Sequence, residues 1–372
     1  MCIIKEIYLS RYGRCMKILV VSEESDNRVA VVPEVAKKLI ALGHECFVEE
    51  RAGVNAGFTD LEYENVSAKI ISRDDDLNLF DVVFSVNFPT LTFKYGVIII
   101  TSRIVDLSLC KKQKLTVFSL NKIPRTTRAQ YMDVLSSQAS LAGYKAMIEA
   151  SHELDRAIPL MMTTAGTIPA AKVLIIGAGV AGLQAIATAK RLGGVVSAFD
   201  VRASAKEQVE SLGAKFIEVT SNEKIDGVYA KEMGEEYKMA QEKKLREILP
   251  SQDIVITTAQ IPGKRAPVII KKDMVETMKS GAVIVDLSAS TGGNCEATVP
   301  GQTVEQNGVK ILGFNNILDL IANDASKLYA KNVFNFFELL LSQMETQPDI
   351  SKISDDIIKS TLIAYNGNIY NT

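Results

Sequence analysis

Two stretches of this chain gather residue types that can do chemistry. In "VLIIGAGVAGLQA", Gly177, Gly179 and Gly182 form a G-x-G-x-x-G spacing directly after an apolar run and directly before a helical one. The first glycine of such a turn permits its tightness, the second lets a pyrophosphate approach the backbone, and the third lets helix and strand close up. The helix start then presents unpaired N–H groups to the phosphates. Asp200 ends the next strand-like run, "VVSAFDVR", 18 residues beyond Gly182. Its carboxylate suits the hydroxyls of an adenosine ribose and disfavours a 2'-phosphate on charge and space, which points to NAD(H) rather than NADP(H). Arg202, two residues on, could meet a phosphate and runs against that preference.

The second stretch is "IPRTTRAQYMDVLSSQ", residues 123–138, which holds Arg125, Arg128, Gln130, Asp133 and Ser136 but no histidine or cysteine. Beside two arginines Asp133 would favour its ionised form and make a poor proton donor. A nicotinamide carboxamide offers one acceptor and two donors, and Arg, Gln, Asp and Ser together match both kinds. The cluster therefore suits orientation of a neutral amide better than proton transfer. Only two histidines occur, His44 in a helix-to-strand turn and His152 in a connecting helix, so the acid/base group that oxidation of a hydroxy or amino acid needs is not evident. The same scarcity leaves no metal-ligand set.

The elements that must carry these residues read as alternating strands and helices. From Met16, "KILVVSE", "ECFVEE", "DVVFSV", "YGVIIITS" and "LTVFSL" are short apolar strands, and "PEVAKKLIALG" is a helix opened by Pro33. Residues 136–156 predict a helix, followed by the breaker-rich crossing "IPLMMTTAGTIPA". The strands "KVLIIGA", "GVVSAFDVR", "AKFIEVT", "DIVITTA", "GAVIVDLS" and "VKILG" then make a second unit. Buried strands alternating with helices predict an α/β protein with two Rossmann-like, doubly wound parallel-sheet domains joined by long helices. The expected division is a 1–15 extension, an N-terminal-type domain of 16–135 completed by 316–372, and a Rossmann domain of 136–315. Ligand contacts at the sheet rim are expected from Gln260, Ile261, Pro262 and Gly263 after "DIVITT", from Leu287 beside Asp286, and from Asn316 in "GFNN". The charged interval 222–250 predicts a helix in its second half, with "DGVYAKEMGEEY" before it as a flap carrying Tyr229 and Met233. The long amphipathic helix in "LIANDASKLYAKNVFNFFELLLSQM" places Phe334, Phe337, Leu340 and Leu341 toward a core.

Bulk properties agree with this reading. A chain of 372 residues exceeds the usual growth of one core, which favours two domains. With 47% hydrophobic residues and a formal charge of -2 it can bury that core and has no global cationic field for nucleic acid. Five cysteines without a C-x-x-C pair signal neither zinc nor a disulfide framework and fit a reducing compartment. No window reaches the roughly 18 to 20 apolar residues that span a bilayer, so a soluble protein is expected.

From Met16 onward the chain resembles the soluble NAD(H)-binding component, domain I, of proton-translocating NAD(P) transhydrogenase. The resemblance rests on "RVAVVPEVAKKLIALG", "PRTTRAQYMDVLSSQASLAGYKA", "GAGVAGLQAIATAKRLG", "DVRASAKEQVESLGAKF", "DGVYAKEMGEEY" and "TGGNC". It implies that Arg125, Gln130, Asp133 and Ser136 approach the nicotinamide and its ribose. It implies too that Gly177, Gly179, Val180, Ala181, Gly182, Asp200, Val201 and Arg202 hold the adenosine and pyrophosphate side. Tyr229 and Met233 would close over bound nucleotide. The second substrate in this family is NADP(H) on a partner subunit, hydride passes directly between nicotinamides, and a membrane-spanning component couples the exchange to proton movement. The resemblance further implies a homodimer docked on the cytoplasmic face of the inner membrane. Because the sequence ends at Thr372 without a spanning helix, it resembles the split form of the alpha subunit. Alanine dehydrogenase shares the architecture, but its substrate lysine would fall near Ser85 and its catalytic histidine near "IIITSRIV", and neither residue type is there. Arg28 resembles an arginine common to both groups. A third reading is a non-enzymatic NAD(H)-sensing or assembly domain.

Overall fold

The computed structural model describes residues 15–93, 97–102, 105–219, 234–261 and 264–371. The chain forms two compact units: unit 1 is Met1–Gln138 with Leu318–Thr372, and unit 2 is Ala139–Ile317. Helix Val134–Glu153 carries the chain across that division.

Unit 1 is built on an eight-stranded sheet. From one edge its strands are Asn368–Ile369, Leu362–Tyr365, Thr116–Ser119, Ile98–Thr101, Val82–Phe84, Lys17–Val20, Glu45–Glu49 and Lys69–Ile71. The last six are mutually parallel, and in chain order they lie 3-2-1-4-5-6, the doubly wound arrangement. Successive residues of the Lys17–Val20 strand serve opposite faces. Ile18 and Val20 enter one apolar core and Leu19 the other. Strands buried on both faces explain the continuous apolar runs "VVF" and "IIIT".

The larger core of unit 1 is closed by helix Ala322–Thr346, whose buried Ala325, Tyr329, Val333, Phe336, Phe337, Leu340 and Leu341 recur at helical spacing. Phe337 meets Phe84 edge-on at 5.2 Å and Phe336 meets Phe118 at 5.4 Å. Burial of such a ring stabilises by about 2 to 3 kcal/mol, and each aromatic pair adds roughly 1 kcal/mol. Phe334 packs only at the margin of this core, while Phe336 lies fully inside it. Helix Pro33–Ala41 begins with its proline in the first turn and buries Val35, Ala36 and Leu39.

Unit 2 has seven strands in the order Lys215–Phe216, Val195–Phe199, Lys172–Ile176, Ile254–Thr257, Val283–Asp286, Val309–Gly313 and Gln302–Gln306. All but the last pair in parallel. Val173 and Ile175 face one core, Leu174 and Ile176 the other. Helix Glu235–Ile248 occupies the second half of the charged interval.

Each sheet thus ends in antiparallel strands beyond its parallel body. Both closing hairpins turn on an Asn-Gly pair with both residues left-handed: Asn307 and Gly308 at φ 51° and 73°, Asn366 and Gly367 at φ 48° and 81°. Two consecutive left-handed residues match the right-handed twist of the flanking strands. The stretch expected as a plain crossing forms a hairpin of its own, Met161–Thr163 with Gly166–Ile168.

His44 lies buried in unit 1, edge-on to Phe337, its Nδ1 accepting from the Met16 N–H at 3.3 Å. Its Nε2 has no partner. Burial pushes it down to about 4. The unfolded chain binds this proton near pH 6.5 and the folded chain only near 4, so stability falls as pH drops through that window. Each pH unit across that window is worth roughly 1.4 kcal/mol, so about 2 to 3 kcal/mol is lost by about pH 4.5. Urea unfolding of His44→Leu should show a shallower fall between about pH 7 and 4.5, by about one proton per molecule. Parallel pH profiles would refute this account of His44.

Candidate dinucleotide-binding site

The glycine turn of unit 2 follows strand Lys172–Ile176 and opens helix Val180–Arg191. Each glycine meets a separate steric demand. Gly177 has φ +97°, and a Cβ there would stand 2.5 Å from Thr258 Oγ1. A Cβ on Gly182 would lie 1.8 Å from the Gly177 carbonyl oxygen. Around Gly179, by contrast, a Cβ would meet nothing within 4 Å, so the backbone there faces open space. Gly179 is also the N-cap and supplies no side-chain acceptor. The first helical amides, with the positive end of the helix dipole, are thereby left to a ligand, the arrangement that holds a pyrophosphate.

Residue types alone missed a fourth glycine. Gly143, within helix Val134–Glu153, would place a Cβ 1.9 Å from the carbonyl oxygen of Ala181. That helix therefore touches the glycine turn backbone to backbone and fixes where its first turn sits.

Asp200 follows strand Val195–Phe199 and is buried. Its Oδ2 accepts from the Ala178 N–H at 2.7 Å, which ties it to the glycine turn. Arg202 grips the same carboxylate through its backbone N–H at 2.8 Å, Nε at 2.9 Å and Nη2 at 2.9 Å. The carboxylate beside it holds Arg202 above the usual guanidinium range. Ribose hydroxyls can reach Asp200 only as Arg202 gives way. Tyr237, from helix Glu235–Ile248, lies close enough for burial and the Asp200 charge to push its phenol up to about 12.

On the neighbouring strand ends, Gln260 Nε2 donates to the Leu287 carbonyl at 3.3 Å and links the two rim loops. Asn294 joins them more firmly, accepting from the Ala259 N–H and donating to the carbonyls of Ala259 and Pro267. Ile261 and Asn316 are half-buried. Tyr229 and Gly263, with Met233 and Pro262, lie outside the described residues.

The polar stretch belongs to unit 1, where the 3-10 turn Thr127–Met132 precedes helix Val134–Glu153. Buried Ala129 and Met132 anchor it, and the Tyr131 carbonyl accepts from Asn332 and Asn335 of helix Ala322–Thr346. Arg125 and Gln130 are exposed. Asp133 is not held by Arg128. Its oxygens accept from the Ser136 N–H at 3.0 Å and Ser136 Oγ at 2.5 Å, an N-cap on the following helix. Arg128 instead binds Asp355, at 2.6 Å, and Asp356. The expectation of Asp133 flanked by two cations is corrected accordingly. Arg128 is a tether to the C-terminal segment, and Asp133 and Ser136 form one preset acceptor and donor pair.

Among known families, the alanine dehydrogenase/PNT N-terminal domain matches residues 19–142 and the alanine dehydrogenase/PNT C-terminal domain residues 146–372. The separately encoded first segment of the NAD(P) transhydrogenase alpha subunit of Rhodospirillum rubrum is 46% identical over 376 residues, covering 95% of this chain and 97% of that one. The corresponding protein of Rickettsia prowazekii is 44% identical over 96% of both chains. A transhydrogenase structure from Sinorhizobium meliloti superposes with a TM-score of 0.82 at 41% identity, over 95% of this chain and 99% of that one. An L-alanine dehydrogenase structure, at 22% identity and a TM-score of 0.77 over 96% and 97% of the chains, shares the fold.

Gly143→Ala should lower dinucleotide affinity by about tenfold or more, since the added methyl must push the helix start out of place. Calorimetric titration with NADH tests this, with Ser140→Ala on the same helix as a control that binds normally. Unchanged affinity in Gly143→Ala would show that the contact with Ala181 does not set the turn.

Proposed function

Because the chain belongs to the alanine dehydrogenase/PNT family, and within it to the NAD(P) transhydrogenase alpha subunits, we propose that it is the NAD(H)-binding component of a proton-translocating transhydrogenase, exchanging hydride with NADP(H) on a partner subunit. The observation that carries the cofactor assignment is the open backbone at Gly179, an uncapped helix start beside Asp200. When bound, the dinucleotide supplies the hydride at its nicotinamide ring. The turn from Gly177 to Gly182, with Val180 and Ala181, binds the pyrophosphate. Asp200 takes the adenosine ribose, with Val201 and Arg202 beside it. Gln260, Ile261, Leu287 and Asn316 line the rim.

Arg125, Gln130, Asp133 and Ser136 act as a positioning set for the carboxamide and its ribose. Transfer between two nicotinamides moves no proton to or from the protein, so it calls for alignment rather than for a base. The Asp133–Ser136 pairing supports that role, since each side chain is already oriented by the other. The buried face of unit 1 speaks against an amino-acid oxidoreductase. Arg28 is only 4% exposed and its guanidinium is engaged by Asp26, at 2.8 and 2.6 Å, and by Gln138 at 2.9 Å. Ser85 is wholly buried.

Among the described residues no helix is long and apolar enough to cross a membrane. Proton movement is accordingly assigned to the membrane-spanning partner, against whose cytoplasmic face this component docks. We read the component as a homodimer. Supporting this, the hairpin Met161–Thr163 with Gly166–Ile168 exposes Leu160, Met161, Met162 and Ile168, Met162 by 78%. A lone two-stranded ribbon with an apolar surface is marginal in water and gains by packing on a second copy.

Mixing the protein with NADH and an NADP-binding transhydrogenase subunit should reduce an NADP analogue. No transfer by a folded, NADH-binding sample with a competent partner would sink the reading, and alanine-dependent NAD reduction without a partner would favour the dehydrogenase. Gln130→Ala should slow transfer by about tenfold or more while changing NADH affinity by less than about threefold. Equal losses in both would contradict a positioning role. Met162→Glu should weaken self-association, shifting sedimentation toward the monomer; wild-type sedimentation would exclude the hairpin as the interface.

A further inference from the structure

Unit 2 buries one carboxylate at its ligand-binding edge for which no ion pair is found among the described residues. Asp286 ends strand Val283–Asp286 and is wholly buried. Its Oδ1 accepts from Thr257 Oγ1 at 3.0 Å and the Ser288 N–H at 3.0 Å. Its Oδ2 accepts from the N–H groups of Asn294 at 2.8 Å and Cys295 at 3.1 Å and from Thr298 Oγ1 at 2.8 Å. Three of these partners are backbone N–H groups, which only donate, the pattern of an anionic, acceptor-only group. Gly293 at φ +77° lets the loop wrap it, since a Cβ there would stand 3.0 Å from Oδ2. The Cys295 thiol registers the charge: burial, and Asp286 with it, push the thiol up to about 11.

Position gives this anion a use. In a doubly wound sheet the half carrying the glycine turn takes the adenosine nucleotide, and the other half takes the second mononucleotide. Asp286 stands at the ligand-facing end of that second half, next to Leu287. A nicotinamide ring gains one positive charge when it gives up hydride. A fixed negative charge in a poorly screened interior stabilises the oxidised ring over the reduced one. We propose that Asp286 is a positioning and electrostatic residue that biases the site toward NAD+, making bound NADH the stronger hydride donor. The inference rests on the proposed nicotinamide nucleotide site of unit 2.

The test is a set of equilibrium affinities for NAD+, NADH and AMP. Asp286→Asn should raise the ratio of the NAD+ to the NADH dissociation constant by about three- to tenfold and leave AMP affinity near wild type. A tenfold change corresponds to about 30 mV in the potential of a bound two-electron couple. Thr298→Val keeps the charge and removes one compensating donor, so its ratio should move the opposite way. Equal weakening of NAD+ and NADH, an unmoved ratio in Asp286→Asn, or a shift of either variant in the wrong direction overturns the proposal. Should Asp286→Asn fail to fold, the sign of the Thr298→Val shift decides alone. Wild-type protein that binds neither dinucleotide would refute the underlying site instead.

Discussion

Backbone must touch backbone around the start of helix Val180–Arg191, and most of unit 2 is arranged to allow it. Gly182 closes the helix onto the turn that leaves strand Lys172–Ile176, and Gly143 closes a second helix onto Ala181. Neither approach tolerates a single methyl, because the opposing atoms are carbonyl oxygens rather than side chains that could swing away. The consequence is a helix start whose position is set from two directions while its outer surface, at Gly179, stays open. Asp200 is referenced to the same place by its bond from the Ala178 N–H, so the phosphate and ribose receptors move as one body.

The polar stretch of unit 1 obeys a different economy. Its backbone is pinned by Ala129 and Met132 in the core and by Asn332 and Asn335 at the Tyr131 carbonyl. Arg128 ties it to the C-terminal segment. Of its charged and amide side chains, Arg125 and Gln130 reach the surface. Asp133 doubles as a helix cap, which orders Ser136 at the same time. A group that must cap a helix is constrained in geometry, an asset for holding a ligand and a hindrance to shuttling protons.

Where local chemistry makes the demand, the sequence was readable. The glycine spacing, Asp200 and the buried parallel strands follow from turn sterics and short apolar runs. Gly143 was not readable, because its requirement comes from a backbone oxygen 38 positions along the chain. The partner of Arg128 lies farther still, at Asp355, and no spacing rule reaches across such an interval. The two closing hairpins are another matter. "QNGV" and "YNGN" carry the Asn-Gly pair that specifies a type I' turn, a signal masked by the polar, short strands on either side. Asp133 was open to a local reading too: an aspartate directly before a helical run is an N-cap by default.

The two units also show how little a strand order decides by itself. Both sheets contain strands in the 3-2-1-4-5 sequence that places a crevice between the first and fourth. In unit 2 that crevice meets a glycine turn and an uncapped helix. In unit 1 the chain after the first strand reads "VSEES", and the Glu23 carboxylate accepts from the N–H groups of Val86, at 2.6 Å, and Asn87, at 3.0 Å, just beyond the fourth strand. Burial raises Glu23 above the usual carboxylate range even so, which marks how far that edge is withdrawn from water. Amides that could receive an anionic ligand are satisfied from within, and a few residues further on Asp26 does the same for the guanidinium of Arg28. Binding capacity therefore follows from which polar groups are left unsatisfied at the edge of the sheet, and the sequence assigns that condition to unit 2 through glycines and denies it to unit 1 through acids.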